Sequence, residues 1–349
     1  MSLSDLPLML NKTFTGDLYI DFKNSEVRLG GSANQKVTIP IGLPNRSFTP
    51  LQLAILDMIV ESPDNKIDWK VKVNGVNVTK EFKPLFTVKT DSSVYSKFVF
   101  DVTSILNTEE SMSRNWVNLT IKHEGGTGFT VKTLLLLSIY ESEDGKTSLE
   151  YRSGLARLRP GERFHIADGQ TEPYSSVRIV YGSRSKDLIP TLHIGDRVVK
   201  LNIHNDFEEY EFTRETNQPV FLQVEEGVKS SKTKEIILAN VISYTSTLKA
   251  PSLVGSLDSV RLEGKDLVVD LSLKNTGESA PDSVVYTILH KGQAIYTSKD
   301  VEKINPQKVV NRRIRVKIPE GVDEATLRII WRKLTKTWFL DLPISFKKD

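Results

Sequence analysis

The 349-residue sequence contains no cysteine and only five histidines. The missing cysteine excludes disulfide bonds, thiolate catalysis, and zinc or iron–sulfur sites that use cysteine ligands. The histidines are scattered, without the HxH or HExxH spacing of common metal sites. His204, Asp206 and Glu208 could share one face of a strand, but side chains two apart along a strand are separated by about 7 Å, so one ion would join two of them only at a bulge. We interpret them as a solvated acidic strand and expect no metal and no cofactor.

Long apolar runs are also missing. A transmembrane helix needs roughly 20 apolar residues, and no stretch approaches that length, so membrane insertion is not expected. The N-terminus lacks the basic segment and the apolar run of a signal peptide. A complete sequence would then be cytoplasmic, whereas a chain whose targeting segment had been removed would be extracellular or surface-bound. The formal net charge of +3 predicts no general affinity for nucleic acid.

Signatures of catalysis are absent as well. Gly145-Lys146-Thr147 resembles the end of a phosphate-binding P-loop, but the position that requires glycine, five residues before Gly145, is Tyr140. There is no G-x-S-x-G nucleophile elbow. A carboxylate pair for glycoside hydrolysis would come from distant strands, and the sequence indicates no such pair. We therefore expect that the protein is not an enzyme.

The sequence does contain many short β-rich runs separated by turn residues. Asn74-Gly75 lies between two runs of alternating polar and apolar residues, the strongest short signal of a type I′ hairpin. Similar hairpins are predicted at Gly195-Asp196 and Lys291-Gly292. Trp69 alternates in phase with the valines that follow it, which predicts a core tryptophan rather than an exposed platform for a sugar.

The first two thirds of the chain contain an internal repeat. Six landmarks recur in the same order after Lys146, and Tyr140 and Tyr244 end the last strands of the two copies, which predicts a duplication. Each copy has about eight strands, which is typical of a jelly roll. Residues 1–14 are interpreted as an irregular lead-in. The predicted fold is all-β: two tandem jelly-roll-like β-sandwiches at 1–145 and 146–248, followed by an immunoglobulin-like β-sandwich at 249–349.

Two families resemble parts of this chain. The run Leu271-Ser-Leu-Lys-Asn-Thr-Gly-Glu-Ser-Ala, the Lys291-Gly292 tip and the Pro319-Glu-Gly turn are similar to the CARDB-like (cell-adhesion-related) immunoglobulin-like domains. This resemblance covers roughly residues 256–340 and implies a stalk, spacer or interaction module without chemistry of its own. The run that begins Phe100-Asp-Val-Thr-Ser, between a hairpin and a strand led by tryptophan, resembles the galactose-binding-like jelly rolls of surface and carbohydrate-associated proteins.

The last third of the chain carries the strongest clustering of charge. Arg313, Arg315 and Lys317 alternate along one face of the predicted strand Val310–Ile318. Further basic residues follow on the next strand and turn: Arg328, Arg332, Lys333 and Lys336. We treat these seven as candidate residues for binding a partner or polyanion. With Trp331 and Trp338 nearby, they could bind single-stranded nucleic acid or dock an acidic protein or anionic glycan. They could also only protect an edge strand from aggregation.

Three sandwiches in series without a catalytic motif predict a non-catalytic structural or interaction protein. We expect a multi-domain β scaffold that makes protein–protein contacts, with a partner that is acidic if it docks on the basic residues. The first alternative is an array of carbohydrate-binding modules, with glycan ligands at loop tips such as Gly125–Gly128 and the turn at Asp64-Asn65. The second is nucleic-acid or polyanion binding through the basic strands. The sequence leaves the oligomeric state open.

Overall fold

The computed structural model describes residues 6–43, 49–64, 66–78, 83–90, 93–168, 175–183, 188–214, 218–225, 235–319 and 323–346, except for the side chain at position 168. Met1–Thr247 form one compact unit and Leu248–Asp349 a second. The helices of the described residues are α1 (Thr103–Leu106) and α2 (Glu109–Met112), and nearly everything else that is regular is β-strand. No helix of the described part is long and apolar enough to cross a membrane. The all-β prediction is confirmed.

The first unit contains the strands β1 to β18. They are β1 (Leu8–Phe14), β2 (Gly16–Leu29), β3 (Lys36–Gly42), β4 (Leu51–Ser62), β5 (Ile67–Val73), β6 (Val76–Asn77), β7 (Phe86–Lys89), β8 (Val94–Asp101), β9 (Trp116–Gly126), β10 (Phe129–Glu141), β11 (Gly145–Leu158), β12 (Arg163–Asp168), β13 (Ser176–Gly182), β14 (Pro190–Ile194), β15 (Arg197–Lys200), β16 (Phe207–Thr213), β17 (Pro219–Val224) and β18 (Ile236–Leu248).

These strands form four sheets with a repeated order. Sheet I is β3-β9-β5-β6, sheet II is β2-β10-β4-β8-β7, sheet III is β1-β11-β18-β13-β16, and sheet IV is β12-β17-β14-β15. Apart from the added edge strands β1 and β7, sheets II and III have the same order, as do sheets I and IV. In each copy the first and last strands are neighbours, and the second strand lies beside the last but one, as in a jelly roll. This repetition is what an internal duplication predicts.

The first strand is one that the sequence did not predict. Residues 8–14, which we had interpreted as irregular, form β1, and this strand pairs antiparallel with β11 of the second sandwich. Phe14 is buried in the core that the two sandwiches share. Local periodicity in β1 is weak because most of its side chains are exposed, so its strand conformation depends on the pairing with β11 rather than on its own sequence.

The four sheets are stacked in the order I, II, III, IV. Trp69 lies in the core between sheets I and II, fully buried, with ring centroids 4.8 Å from Phe98 and 5.2 Å from Phe129, which confirms the prediction of a core tryptophan. Sheets III and IV enclose a second apolar core. Sheets II and III pack on each other through a third, which includes Ile59 and Ile242. The two sandwiches are therefore joined by a buried apolar face.

The second unit is a separate sandwich with seven strands. They are β19 (Leu253–Glu263), β20 (Asp266–Asn275), β21 (Ser283–His290), β22 (Gln293–Lys299), β23 (Val309–Lys317), β24 (Glu324–Lys333) and β25 (Lys336–Ser345). Sheet V is β19-β20-β23 and sheet VI is β22-β21-β24-β25. Their inner faces form one apolar core.

The three predicted hairpins are present. Asn74 and Gly75 have φ angles of 46° and 88°, and they join β5 to β6. Lys291 and Gly292, at 47° and 80°, join β21 to β22. Gly195, at 54°, lies in the turn between β14 and β15. Two consecutive positive φ angles are the geometry that a type I′ turn requires.

Candidate functional site

The seven candidate basic residues lie on two different sheets. Arg313, Arg315 and Lys317 are on the outer face of sheet V, in β23, where inward residues alternate with exposed ones. The other four are in sheet VI: Arg328, Arg332 and Lys333 on β24, and Lys336 at the first position of β25. Because sheets V and VI share one core, their outer faces point to opposite sides of the unit. The structure therefore does not bring the seven residues together into one patch.

The arginines of sheet V are paired with carboxylates of the neighbouring strand. Arg313 and Asp270 are directly opposite on β23 and β20, and Arg313 Nε donates to Asp270 Oδ1 at 2.6 Å. Arg261 Nη1 donates to Asp270 Oδ2 at 2.6 Å. The hydrogen bonds from Arg313 and then Arg261 hold the pKa of the Asp270 carboxyl well below its usual value. Arg315 forms a similar pair, with Nε 2.8 Å from Asp266 Oδ2.

The basic residues of sheet VI are also partly paired. Arg328 makes a two-bond contact with Asp341, at 2.7 Å for each bond, and its guanidinium lies 4.6 Å from the ring centroid of Phe339. Lys333 Nζ lies 3.6 Å from Asp282 Oδ1. Trp331 is buried, and its indole N–H donates to the Pro251 carbonyl at 3.2 Å. That tryptophan is therefore not available to stack a nucleic-acid base.

Among the described residues no strand pairs with the outer edge of β23, the last strand of sheet V, and we call this the free edge. In an antiparallel pair, residues alternate between those that bond the neighbour and those that point away. Asn275 N–H donates to the Lys308 carbonyl at 3.1 Å, and Ile318 N–H to the Lys265 carbonyl at 3.3 Å. The even-numbered residues of β23 thus face β20. The backbone groups that point away from the sheet belong to Val309, Asn311, Arg313, Arg315 and Lys317, and among these the Asn311 carbonyl accepts from Arg312 Nη1 at 3.0 Å.

A cavity of about 310 Å³ lies beside this edge. It is lined by residues of β21, β22, β23 and the segment between the last two, among them Tyr286, Tyr296, Asp300, Val301 and Arg312. Arg312 points inward from β23 and is bound to Asp300, with Nε–Oδ2 2.8 Å and Nη2–Oδ1 3.1 Å. Val301 is fully exposed. The free edge therefore adjoins a cavity that has an exposed apolar side chain, Val301, and an ion pair, Arg312 with Asp300, in its lining.

A second, smaller cavity of about 190 Å³ lies at one end of the first sandwich. Its lining is mostly polar: Arg28, Glu61, Ser62, Pro63, Ser93, Gly128, Phe129 and Thr130. Gly128 belongs to the predicted loop tip at 125–128, so the structure places that tip at a cavity. Asp64, from the other predicted tip, accepts from Lys66 N–H at 2.9 Å. Asn65 lies outside the described residues.

The glycines of that loop are required by close packing. A Cβ on Gly126, whose φ is +71°, would lie 2.1 Å from the Lys66 carbonyl oxygen. A Cβ on Gly30, whose φ is +89°, would lie 2.8 Å from the Gly128 Cα. The loop is therefore held between two neighbouring turns. Its packing gives the small cavity a defined wall.

Acidic side chains cluster around Arg178, a group that the sequence did not indicate. Arg178 lies on β13 with its side chain 16% exposed. It donates to Glu209 Oε1 at 2.8 Å and to Glu211 Oε2 at 2.6 Å, and Tyr244 Oη donates to Glu211. Burial raises the pKa of the Glu209 carboxyl despite the opposing effect of Arg178. One guanidinium holds both glutamates, an arrangement that suits a structural ion pair.

The predicted acidic strand at His204 begins only at Phe207 in the structure, so that of its three candidate ligands Glu208 alone lies on β16. Glu208 Oε1 accepts from the backbone N–H groups of His204 and Asn205 at 3.0 and 2.8 Å. Asp206 contacts Lys132, whose side chain is only 4% exposed. Lys132, on β10, also donates to Glu26 of β2 at 2.6 Å. Its contact with Asp206 therefore links two strands of the first sandwich to the second sandwich. No group of three possible metal ligands occurs among the described residues.

A fully buried polar cluster lies between sheets II and III. Sheet II contributes Asp57 and Lys97, and sheet III contributes Tyr151, Ser153 and Asn240; all five are at most 2% exposed. Asp57 Oδ2 accepts from Ser153 Oγ at 2.8 Å, from Asn240 Nδ2 at 2.8 Å, and from Tyr151 Oη. In the sequence, this buried cluster is indicated only by a single polar residue in the middle of an apolar run, as in Ala-Ile-Leu-Asp57-Met-Ile-Val.

No protein-family model and no curated protein matches this sequence. Among solved structures, the chain is similar to β-glucuronidase from Ruminococcus gnavus. The complex with D-glucuronic acid aligns with 9% identity and a TM-score of 0.22, over 90% of this chain and 36% of that chain. The apo structure aligns with 10% identity and a TM-score of 0.22, over 93% and 39%. The chain spans little more than a third of these enzymes, and a similarity this low carries no functional argument.

Proposed function

We propose that the protein is a non-catalytic β scaffold that binds an extended segment of an acidic partner protein at the free edge of β23. The observation that carries the proposal is the basic, unpaired edge beside a cavity. Strand addition uses the backbone groups of the edge for affinity and adjacent pockets for specificity. The two fused jelly rolls supply the rigid body of the scaffold, because separating them would expose their shared apolar core.

Charge determines which segment fits this edge. β23 carries Arg312, Arg313, Arg315 and Lys317 and no acidic residue. The carboxylates that neutralise Arg313 and Arg315 lie on the β20 side of the strand, away from the edge. An incoming strand would therefore meet the arginines directly. Acidic residues at alternate positions on it would form cross-strand pairs with the outward side chains, each contributing roughly 0.2–1 kcal/mol.

The test uses a synthetic peptide in which Glu alternates with Val and Thr, and a matched peptide with Lys in place of Glu. Binding to the full chain is followed by fluorescence polarisation. We expect the acidic peptide alone to bind, more weakly as salt is added. Asn311→Pro removes an outward N–H and should abolish binding, whereas Asn311→Ala keeps it. Equal binding by both variants, or no binding of the acidic peptide, would overturn the proposal.

Nucleic-acid binding is separated from peptide docking by the same assay. The supporting surface for nucleic acid would be the outer face of sheet V, and its probe is single-stranded DNA of mixed sequence. Nucleic-acid binding would be favoured if that DNA binds the unsubstituted chain and Asn311→Pro but not the double variant Arg313→Glu and Arg315→Glu. The peptide-docking proposal instead requires that Asn311→Pro be the more damaging change.

Carbohydrate binding is the second candidate function. The small cavity supports it, because it combines Arg28, Glu61 and two serines at a loop end, and such groups can bond sugar hydroxyls. A glycan array with the full chain, repeated with Arg28→Ala, tests this. Lys36→Ala, an exposed substitution on β3, is the matched control. Glycans that bind the control but not Arg28→Ala would support a sugar site, and an empty array would remove it.

A further inference from the structure

The buried cluster between the sandwiches places a lysine amine against a carboxamide. Lys97 Nζ lies 2.9 Å from Asn240 Oδ1 and 2.7 Å from the Ala239 carbonyl. Asp57 stands beside both groups, with Oδ1 3.4 Å from Lys97 Nζ and Oδ2 2.8 Å from Asn240 Nδ2. A nucleophile, an electrophilic carbonyl and a proton carrier are thus in mutual contact.

Burial makes the uncharged form of the Lys97 amine more accessible than it is in water. Lys97 is completely buried, and the inter-sheet core around the cluster contains Ile59, Ala239 and Ile242. Burial lowers the pKa of the Lys97 ammonium to about 8, although the charge of Asp57 opposes the shift. The fixed contact between amine and amide also replaces a bimolecular encounter by an intramolecular one, which can raise the effective concentration by many orders of magnitude.

We propose that Lys97 and Asn240 form an intramolecular amide cross-link between the two sandwiches. The Lys97 ammonium first gives a proton to Asp57 Oδ1, and the neutral Nζ attacks Asn240 Cγ. Asp57 then carries a proton from Nζ to the Asn240 amide nitrogen. The Cγ–Nδ2 bond breaks, ammonia leaves, and a Cγ–Nζ amide remains. Asp57 holds the last proton, which it passes to the released ammonia to form ammonium. The reaction needs no oxidant, reductant or cofactor.

Ser153 and Tyr151 have a positioning role in this scheme. Both donate to Asp57 Oδ2, which leaves Oδ1 directed at the lysine. The resulting bond would join β8 of sheet II to β18 of sheet III and close a covalent loop through the residues between them. Such a loop restricts the unfolded chain in the way that a long-range disulfide does, in a sequence that has no cysteine. The proposal does not depend on what the β23 edge binds.

Intact-mass spectrometry of the purified full chain tests the cross-link. Loss of ammonia lowers the mass by about 17 Da, and digestion should yield a branched peptide that joins the Lys97 and Asn240 segments. The folded chain is incubated at about pH 8–9, where the amine is neutral more often. An unchanged mass for folded protein after this incubation would overturn the proposal. So would a loss of about 18 Da with a branched Lys97–Asp57 peptide, which would show that the aspartate is the electrophile.

Two variants separate the chemistry from mere folding. Lys97→Met replaces the amine by an apolar side chain of similar length, and Asp57→Asn keeps the shape while removing the proton carrier. Each should show its full unmodified mass and remain folded by circular dichroism. Asp57→Asn is decisive, because it retains both reacting residues. A normal cross-link in folded Asp57→Asn would exclude the proposed role of Asp57. If that variant does not fold, Ser153→Ala, which disturbs the cluster less, should form the bond more slowly.

Discussion

The hydroxyl oxygens of Thr13 and Ser148 lie 3.0 Å apart, at paired positions of β1 and β11. Thr13 precedes every strand of the first jelly roll, and Ser148 belongs to the first strand of the second. The start of the chain therefore completes a sheet of the second sandwich before the chain turns into the first. The pairing of β1 with β11 and the apolar core shared by sheets II and III make the two jelly rolls one structural unit.

The first prediction concerns β1. Phe14 is buried in the shared core, whereas Leu8 on the same strand is 47% exposed. Phe14→Ala should lower the free energy of unfolding of the first unit by about 3–5 kcal/mol, as is typical of a large buried side chain. Leu8→Ala should change it by no more than about 0.5 kcal/mol. Urea unfolding of both variants measures the difference, and equal effects would contradict the placement of Phe14.

The second prediction concerns Lys132. Its buried ammonium lies between Glu26 and Asp206, which are 47% and 38% exposed. Lys132→Met leaves these carboxylates without their cation and should cost about 2 kcal/mol, between the values for exposed and fully buried ion pairs. The control is Lys122→Met, because Lys122 is 54% exposed and pairs with Glu124 of the same strand, β9. Thermal unfolding should separate the two variants clearly.

Local patterns predicted the features that depend on neighbouring residues. The hairpin at Asn74-Gly75 follows from the positive φ angles that these residues tolerate, and the core position of Trp69 follows from alternation along one strand. The repeated strand order was also visible, because each copy carries the same sequence of turn and strand signals. In these cases the structural cause lies within a few residues of the effect.

The features that were missed depend on distant residues. Alternation correctly placed Arg313 and Arg315 on one exposed face, but it did not show that Asp270 and Asp266 of β20 lie beside them. Alternation likewise did not reveal the partners of Arg178, because its two glutamates lie on a strand about thirty positions later in the chain. The cluster of Asp57, Lys97 and Asn240 is assembled from three strands of two sheets. Only the tertiary fold brings such residues together.

The third prediction concerns the loop beside the small cavity. Gly126 and Gly75 both have positive φ, but only Gly126 would place a Cβ against a backbone oxygen; nothing lies within 4 Å of a Cβ on Gly75. Gly75→Ala should cost about 1–2 kcal/mol from backbone strain alone. Gly126→Ala should cost more, because the loop must also move away from Lys66. Denaturant unfolding compares the two, and a smaller loss for Gly126→Ala would show that the loop is not held as described.

The last prediction concerns the behaviour of Asp270 in acid. The pKa of its carboxyl in the folded chain is lowered, chiefly by the hydrogen bond from Arg313. The folded state therefore binds a proton less readily than the unfolded chain, in which the pKa is about 3.9. The stabilisation is complete above that pH and is lost as the pH falls from about 4 towards the lower folded-state value.

Asp270→Asn should thus destabilise the second unit clearly at about pH 6 and have progressively less effect below about pH 4. Urea unfolding of the full chain, followed by tryptophan fluorescence, measures the difference from the unsubstituted chain at each pH. Arg313→Gln removes the strongest of the bonds to Asp270 and should reproduce part of the same pH dependence. A destabilisation that stays constant or grows on acidification would mean that Asp270 does not hold Arg313 and Arg261 in solution.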